Sequence, residues 1–292
     1  MLAYKSIQEM VDMSAASGKK LWELILEDQA LQAEVTQDEL FHKMHENFKV
    51  MLESISEGLS FTGQSPSGLS GGWAGRLQNS INQGRNVGDS FFSGMLVKAL
   101  AVAQCNSRMG KIVAAPTAGS CGIIPGVLVA AMEKWQIPEE EVVKSLFTSA
   151  GIGMVIANRA SISGADGGCQ AECGSASAMA AAALVELLGG TAAQSADACA
   201  ISLKNSLGLV CDPVAGLVEI PCIKRNAGGA ANALVAAELA LAGIESVIPA
   251  DEVIDAMKRV GNAMPESLRE TAKGGLAATP TAKKLAKEIF EG

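Results

Sequence analysis

The stretch GSASAMAAAALVELL (residues 174–188) decides the fold class, because alanine has the highest helix propensity and allows helices to pack closely. The chain has 47 alanines, most densely between residues 150 and 250, whereas aromatic residues make up only 4% of it. A core of Ala, Val, Ile, Leu and Met favours helices over a sandwich or barrel, which uses β-branched and aromatic residues. We therefore expect an all-α fold, a single Ala/Gly-rich helical domain with several glycine-rich active-site loops.

Outward from this stretch, the pattern divides the chain into three parts of one catalytic domain, 1–292. A helical N-terminal segment covers 1–57, a Gly/Ser-rich loop covers 58–88, and a helical core covers 89–292. Long loops in compact domains are usually functional or disordered, and apolar residues within 58–88 favour a functional loop. A division into two domains at this loop is the alternative. Further helices are predicted at about 192–207, 227–242, 251–262, 265–272 and 281–290.

Charge and composition exclude several classes of function. The balance of 23 basic and 31 acidic residues gives a net charge of −8, which argues against binding of nucleic acid or of an anionic membrane. The only histidines, His42 and His45, lie in a charged helical segment and are interpreted as solvated, so His-based catalysis and His-rich metal sites are disfavoured. No apolar run reaches 18 residues and the N-terminus lacks a signal core, so a cytoplasmic protein is expected.

Cysteines provide the strongest indication of chemistry. Cys169, Cys211 and Cys222 each lie in an irregular segment beside Gly or Pro, where a thiolate can point away from helical packing. The spacing lacks the Cys-x-x-Cys pairs of structural zinc sites, and no histidine is near. Three thiolates without a clear fourth are compatible with a 4Fe–4S cluster that has one open iron, a Lewis acid. The alternative is that all seven cysteines are structural.

The remaining cysteines differ in their surroundings. Cys105 and Cys199 fall inside helical patterns, where Cys behaves as a small hydrophobic residue. Cys173 follows Cys169 by four residues and is either a fourth ligand or a neighbour. Cys121 lies in a turn before a helix, and such a turn can bind a carboxylate or phosphate. The sequence contains neither a phosphate loop nor a dinucleotide-binding glycine motif.

Three long segments resemble the catalytic alpha chain of the bacterial iron–sulfur L-serine dehydratases. They are PTAGSCGIIPGVL (116–128), SISGADGGCQAECGSASAMAAAALVE (161–186) and LGLVCDPVAGLVEIPCIKRNA (207–227), and GLSGG (68–72) and GLAATPT (275–281) extend the likeness along the chain. The resemblance implies that the cysteines of GGCQ, CDP and IPC, here Cys169, Cys211 and Cys222, hold the 4Fe–4S cluster. In that family the position of Cys173 is usually aliphatic and that of Cys121 often alanine, so neither inherits a ligand role.

The resemblance also implies a partner. Single-chain members of the family end in a cysteine, whereas this sequence ends Ile-Phe-Glu-Gly, and the motif of the family's β domain is absent. We therefore expect a separate beta chain, bearing a small regulatory domain, in a hetero-oligomer.

The implied reaction is the removal of water from L-serine, followed by hydrolysis of the aminoacrylate to pyruvate and ammonia. This lyase activity belongs to amino-acid catabolism and gluconeogenesis. Candidates for the base that removes the α-proton are Lys111, Glu172, Lys224 or a group of the beta chain. The candidate substrate-binding residues, from three glycine-rich loops and one helix start, are Ser70, Gly71, Thr117, Ala118, Gly119, Ser163, Gly164 and Asn226.

Three other functions stay open at this stage. A related lyase could act on L-threonine or L-cysteine instead of L-serine. A pyridoxal-phosphate lyase would use Lys204 as its Schiff-base lysine, although the βαβ scaffold expected for it is missing. A non-catalytic helical scaffold or regulatory subunit would place all cysteines in the core.

Overall fold

Thirteen α-helices and five shorter helical turns build the part of the chain that the computed structural model describes, residues 4–291. Helix accounts for 72% of these residues, which form no strand apart from one isolated bridge between Cys211 and Arg269. The prediction of a single all-α domain is thus confirmed. None of the helices within residues 4–291 is both long enough and apolar enough to cross a bilayer.

The helices follow one another through short connections. Their bounds are α1 Ile7–Ser17, α2 Leu21–Gln32, α3 Gln37–Ser60, α4 Trp73–Asn82, α5 Ser90–Ser107, α6 Ile123–Trp135, α7 Glu139–Arg159, α8 Gly164–Gly167, α9 Ser175–Leu187, α10 Ala192–Ser206, α11 Cys222–Leu241, α12 Ala250–Ala263 and α13 Pro280–Glu291. One π-turn, Gln170–Gly174, directly precedes α9. Single π-turns of this kind occur frequently at functional sites.

Helix α9 is the centre of the core. Every residue from Ser175 to Glu186 is buried, because small side chains on all its faces let α6, α7, α10 and α11 pack around it. Burial of Glu186 is tolerated because its carboxylate accepts the backbone N–H of Leu21 at 2.6 Å and the hydroxyl of Thr148. The stretch that predicts the fold class therefore also organises the packing.

Helix α5 makes the closest helix contacts in the core. A Cβ placed on Gly58 of α3 would lie 1.8 Å from the carbonyl oxygen of Ala101, and a Cβ on Gly126 of α6 would lie 2.9 Å from the Ala99 Cβ. Glycine is required at such points because any side chain would push the two backbones apart. Gly/Ala contacts thus set the spacing of α3 and α6 from α5.

Two sequence-based boundaries are wrong. The segment 58–88, expected to be irregular, contains the last turn of α3 and the whole of α4. Gly72 adopts a left-handed conformation (φ 61°) that starts α4, and the buried Ala74 anchors its first turn, donating its N–H to Gln104 Oε1 at 2.5 Å. The helix predicted at 265–272 is reduced to the 3₁₀ turn Glu266–Leu268, because the segment that follows turns back toward Cys211.

The substitution Gly58→Ala tests the α3–α5 contact. Because the added methyl overlaps the Ala101 carbonyl, we expect a loss of about 1–3 kcal/mol in the free energy of unfolding, measured by urea denaturation. Gly94→Ala is the matched control within α5, since its Cβ would meet only Lys98 Nζ at 3.8 Å. Replacing this helical glycine should raise the free energy of unfolding by about 0.5–1 kcal/mol. Equal effects of the two substitutions would contradict the contact.

Candidate functional site

The three cysteines singled out in the sequence come together at the start of α9 and α11. Cys169 precedes the π-turn, Cys211 lies in the loop after α10, and Cys222 is the first residue of α11; all three are buried. Burial and, to a lesser extent, the charge of Cys169 raise the pKa of Cys222 to about 12. Burial also raises the pKa of Cys211, to which Cys169 and Cys222 both contribute. Segments distant in sequence thus present their thiols to one another.

Cys173 lies against Cys169. The Cys173 thiol hydrogen-bonds to Cys169, which lowers the pKa of Cys169 and raises that of Cys173. The positive charge of Arg225 also lowers the Cys169 pKa. Of this buried pair, Cys169 is therefore the more acidic thiol. The structure places Cys173 as a direct neighbour of the three-cysteine group.

The remaining cysteines are buried away from this group. Cys199 lies inside α10, and burial raises its pKa to about 12. Cys121 faces the Val102 carbonyl, with its sulfur 4.0 Å from the oxygen. Cys105 lies near the end of α5, beside Glu57 and the carbonyl of Lys111. All seven cysteines are free thiols, and Cys105 and Cys199 pack in the core as the helical pattern predicts.

In residues 4–291, no group of three or more His, Cys, Asp or Glu side chains is arranged to hold a metal ion. A 4Fe–4S cluster has a different requirement, because each thiolate binds a different iron at a different corner. Ligands of a cluster therefore stand farther apart than ligands that share one ion. Cys169, Cys211 and Cys222 are buried and lie close enough to shift one another's pKa, so they are the residues that could hold such a cluster.

Glu172 lies in the π-turn between Cys169 and Cys173 and faces the cysteine group. Its Oε1 accepts the Thr117 hydroxyl at 2.9 Å, and its Oε2 lies 3.7 Å from the sulfur of Cys211, which donates to it. Burial raises the pKa of Glu172, although the Thr117 hydrogen bond opposes the shift. Of the three candidate bases, Glu172 is the one whose side chain contacts this group.

Glycines allow two loops to approach the Glu172 carboxylate. A Cβ on Gly164 would lie 2.6 Å from Glu172 Oε2 and 3.0 Å from the Cys211 sulfur, so any side chain there would fill the site. A Cβ on Gly119 would lie 3.4 Å from Glu172 Oε1. The glycine-rich segments 161–168 and 116–122, both predicted from the sequence, thus meet at one carboxylate. Ser163 lies directly before Gly164, and its backbone N–H donates to Ser161 Oγ at 3.0 Å.

Asn226 joins α11 to the turn that carries Thr117 and Gly119. Its amide donates to the carbonyls of Gly119 at 2.8 Å and Cys222 at 3.0 Å, and its Oδ1 accepts the N–H of Gly122 at 2.8 Å. Both amide protons are therefore used within the protein. Asn226, expected to bind substrate, instead holds the 117–122 turn beside Cys222. Ala118 is exposed, and its carbonyl accepts a hydrogen bond from Asn106.

Arg225 and Asp212 hold the loop that carries Cys211. The guanidinium donates to the Val210 carbonyl at 2.7 Å and to the Asp212 carboxylate at 2.9 Å, on either side of Cys211. The other oxygen of Asp212 accepts the N–H of Leu276 at 2.7 Å. This contact joins the CDP segment to the GLAATPT segment. Asp212 was not predicted as a site residue, although it lies in the CDP string beside Cys211.

Ser70 and Gly71 lie in a second group of contacts, centred on Glu219. The Ser70 hydroxyl donates to the Glu219 carboxylate, so its single proton is not available to a substrate. A Cβ on Gly71 would lie 2.1 Å from the Gly63 carbonyl oxygen, which makes glycine necessary there. Glu219 had no signal in the sequence, because its partners are about 150 residues away.

The two lysine candidates point elsewhere. The Lys224 ammonium lies over the ring of Trp73, 4.5 Å from its centroid, and Lys111 is exposed near the end of α5. Lys204, the lysine of the pyridoxal alternative, donates to the Ser246 carbonyl at 2.7 Å. Lys224 and Lys204 thus make their contacts outside the group formed by Glu172 and the three cysteines, and Lys111 is exposed.

Two cavities are lined in part by the π-turn. One, of about 260 Å³, is bounded by Gln170 and Ala171 together with Asp166 and Arg269. The other, of about 540 Å³, is bounded by Cys173, Arg225 and Asn232. They leave room for a small molecule next to the turn that carries Glu172.

Comparison with known proteins agrees with this arrangement. The family model described as serine dehydratase alpha chain matches residues 16–277, which include every loop of the site. The chain belongs to the serine dehydratase alpha chain family.

Members of the serine dehydratase family match nearly the whole chain. It is 50% identical over 289 residues to the probable L-serine dehydratase alpha chain of Bacillus subtilis, covering 99% of this chain and 96% of that one. It is 45% identical over 284 residues to the L-serine dehydratase alpha chain of Peptoniphilus asaccharolyticus, covering 97% of each. L-serine dehydratase TdcG of Escherichia coli is 37% identical over 282 residues, which cover 94% of this chain and 61% of that protein.

The substitution Asn226→Ala tests whether Asn226 holds the 117–122 turn in this member of the serine dehydratase family. It leaves one buried N–H and two buried carbonyls without their partner, so the free energy of unfolding should fall by about 2–3 kcal/mol. Urea denaturation of the chain measures this loss. Asn82→Ala is the control, because Asn82 is exposed and accepts a single bond from Gln78. Similar small losses for both variants would show that Asn226 does not hold the turn.

Proposed function

We propose that this chain is the catalytic alpha chain of an L-serine dehydratase, a lyase that converts L-serine to pyruvate and ammonia. Membership of the serine dehydratase alpha chain family supports serine deamination. The observation that carries the proposal is the placement of Glu172 and three buried cysteines, contributed by separate loops, around one point. Catalytic groups collected from distant segments are typical of an active site.

Cys169, Cys211 and Cys222 are the residues that would hold a 4Fe–4S cluster. Their thiols lie close enough to raise one another's pKa, and the Arg225 guanidinium beside Cys169 stabilises negative charge on that sulfur. When bound, such a cluster with one open iron supplies a Lewis acid that makes the hydroxyl of serine a better leaving group. Because Cys173 hydrogen-bonds to Cys169, binding of an iron by Cys169 would also affect the Cys173 thiol.

Glu172 is the proposed base that removes the α-proton of serine. Its carboxylate faces the sulfur of Cys211, and the Thr117 hydroxyl fixes its orientation. Proton transfer requires the base to lie within hydrogen-bond reach of the substrate, and Gly164 and Gly119 present no side chain to the two carboxylate oxygens. Loss of the α-proton and of the hydroxyl gives aminoacrylate and water; a second water then hydrolyses its imine form to pyruvate and ammonia.

The glycine-rich turns around Glu172 are proposed to receive the rest of the substrate. Thr117, Gly119, Ser163 and Gly164 border the carboxylate through side chain or backbone. Backbone N–H groups in such turns can donate to a substrate carboxylate. The adjacent cavities provide space for a molecule of the size of an amino acid.

We also propose a separate beta chain as partner, in a hetero-oligomer located in the cytoplasm. The relatives from Bacillus subtilis and Peptoniphilus asaccharolyticus are named alpha chains and match this chain along almost their whole length. The Escherichia coli relative extends well beyond the matched region. Seven free thiols are in keeping with a reducing compartment.

Anaerobic purification followed by iron and sulfide analysis tests the cluster. We expect about four irons and four sulfides per chain, and pyruvate formation from L-serine when the chain is co-expressed with a serine dehydratase beta chain. Cys211→Ala should lose most of its iron and all activity. Cys199→Ala is the matched control, because this cysteine is buried inside α10 and should keep both. Full iron in Cys211→Ala would refute the role of Cys211 as a cluster ligand. Preference for L-threonine or L-cysteine over L-serine would refute the proposed substrate.

Substitution of each candidate base tests the role of Glu172. Glu172→Gln should reduce kcat by about 10²–10⁴-fold with iron content unchanged, because proton transfer is lost while the thiols stay in place. Lys111→Met and Lys224→Met should retain activity within a few-fold, since Lys224 lies over the ring of Trp73 and Lys111 is exposed. Iron analysis separates a catalytic loss from a cluster loss. Wild-type kcat in Glu172→Gln would assign the base to another group.

A further inference from the structure

Glu219 is a buried carboxylate that the proposed reaction does not use. It is 5% exposed and lies three residues before Cys222, in the loop between the turn Val214–Gly216 and α11. None of the ion pairs formed within residues 4–291 involves Glu219. Burying a carboxylate without a cation is costly unless hydrogen bonds satisfy its oxygens.

Three serine hydroxyls satisfy this carboxylate. Ser65 donates to Oε2 and Ser67 to Oε1, each at 2.6 Å, and Ser70 donates to Oε2. We call these three serines around Glu219 the serine clamp. All three lie in one six-residue turn, which is closed by a hydrogen bond from the Ser65 N–H to the Ser70 carbonyl at 2.8 Å. The carboxylate therefore holds the whole turn and not a single side chain.

The serine clamp is connected to the cysteine group through the backbone of Glu219. The Glu219 carbonyl accepts the N–H of Ile223 at 3.0 Å, in the first turn of the helix that begins at Cys222. On its other side, the turn is followed at once by Gly71 and Gly72, whose backbone leads into α4. Glu219 thus joins the segment that carries Ser70 and Gly71 to the segment that carries Cys222.

We propose that Glu219 is a positioning residue that fixes the 65–71 turn beside Cys222, so that the backbone around Gly71 borders the substrate. This inference rests on the proposed L-serine dehydratase function. The hydroxyl of Ser70 is committed to Glu219, so the turn contributes through its backbone. A turn held by one carboxylate loses its position when that carboxylate is removed, whereas Glu172 and the cysteines keep their own contacts.

Two variants and one control test the serine clamp. Glu219→Ala removes all three acceptor contacts, and Glu219→Gln keeps one carbonyl acceptor as the conservative replacement. Glu186→Gln is the matched control, since Glu186 is also a buried carboxylate that accepts a hydroxyl and an N–H, but at the other end of α9 from the π-turn. Hydrogen exchange of a peptide covering 62–72 measures the turn, and kcat and KM for L-serine measure its effect on the enzyme with its beta chain.

In Glu219→Ala we expect exchange of the 62–72 peptide to become about tenfold faster and KM for L-serine to rise about tenfold, with kcat within twofold of wild type. Glu219→Gln should show smaller changes of the same kind. Glu186→Gln should lower thermal stability without changing either KM or exchange of this peptide. If Glu219→Ala only destabilised the protein, the enzyme that stays folded would keep the wild-type KM. A rise in KM therefore distinguishes a positioning role from a general structural role.

Three results would overturn the proposal. Unchanged exchange in both Glu219 variants would show that the carboxylate does not hold the turn. Faster exchange with an unchanged KM would show that the turn does not border the substrate. A fall in kcat at constant KM would make Glu219 part of the chemical step. If the wild-type enzyme does not deaminate L-serine, the proposed function fails, and the exchange measurement alone then decides whether Glu219 holds the turn.

Discussion

The site depends on the Arg225 guanidinium, which holds the loop of Cys211 against α11 and lies beside Cys169. It donates to the Val210 carbonyl and the Asp212 carboxylate, and its charge favours the thiolate of Cys169. The loop between α10 and α11 has little regular structure, so its position comes from these side-chain contacts and from the backbone hydrogen bonds of Cys211 with Leu268 and Glu270. Because Arg225 lies in the first turn of α11, the helix that begins at Cys222 also sets the position of Cys211.

Two carboxylates, Glu172 and Glu219, have different surroundings. Glu172 is half-buried, its oxygens accept one thiol and one hydroxyl, and Gly164 and Gly119 present no side chain to them. Glu219 is surrounded by the hydroxyls of the serine clamp, as a group that holds structure requires. The two glutamates thus have different roles. Three hydroxyls occupy the carboxylate oxygens of Glu219, whereas those of Glu172 accept one hydroxyl and one thiol.

The small residues of the core make this arrangement possible. Helix α9 is buried on all sides, so the π-turn at its start is held at a fixed position in the molecule. Close contacts such as Gly58 with Ala101 bring α3 near α5 and bring the serine clamp within reach of Glu219. A core with larger side chains would separate the helices and with them the loops. Packing density in the core therefore supports the geometry of the site.

The sequence by itself determined the helical class, through the alanine-rich stretch at 174–188, and it identified the cysteine loops and the glycine-rich turns around Glu172. These features are local, because helix propensity, glycine content and the setting of a cysteine are properties of a few neighbouring residues. The tertiary structure alone decided that Asn226 hydrogen-bonds to the backbone of the 117–122 turn and Ser70 to the Glu219 carboxylate. It also decided that Lys224 lies over the ring of Trp73 and that Glu219 joins two distant segments. Such roles depend on which atoms meet across more than a hundred residues, and no local pattern encodes that contact.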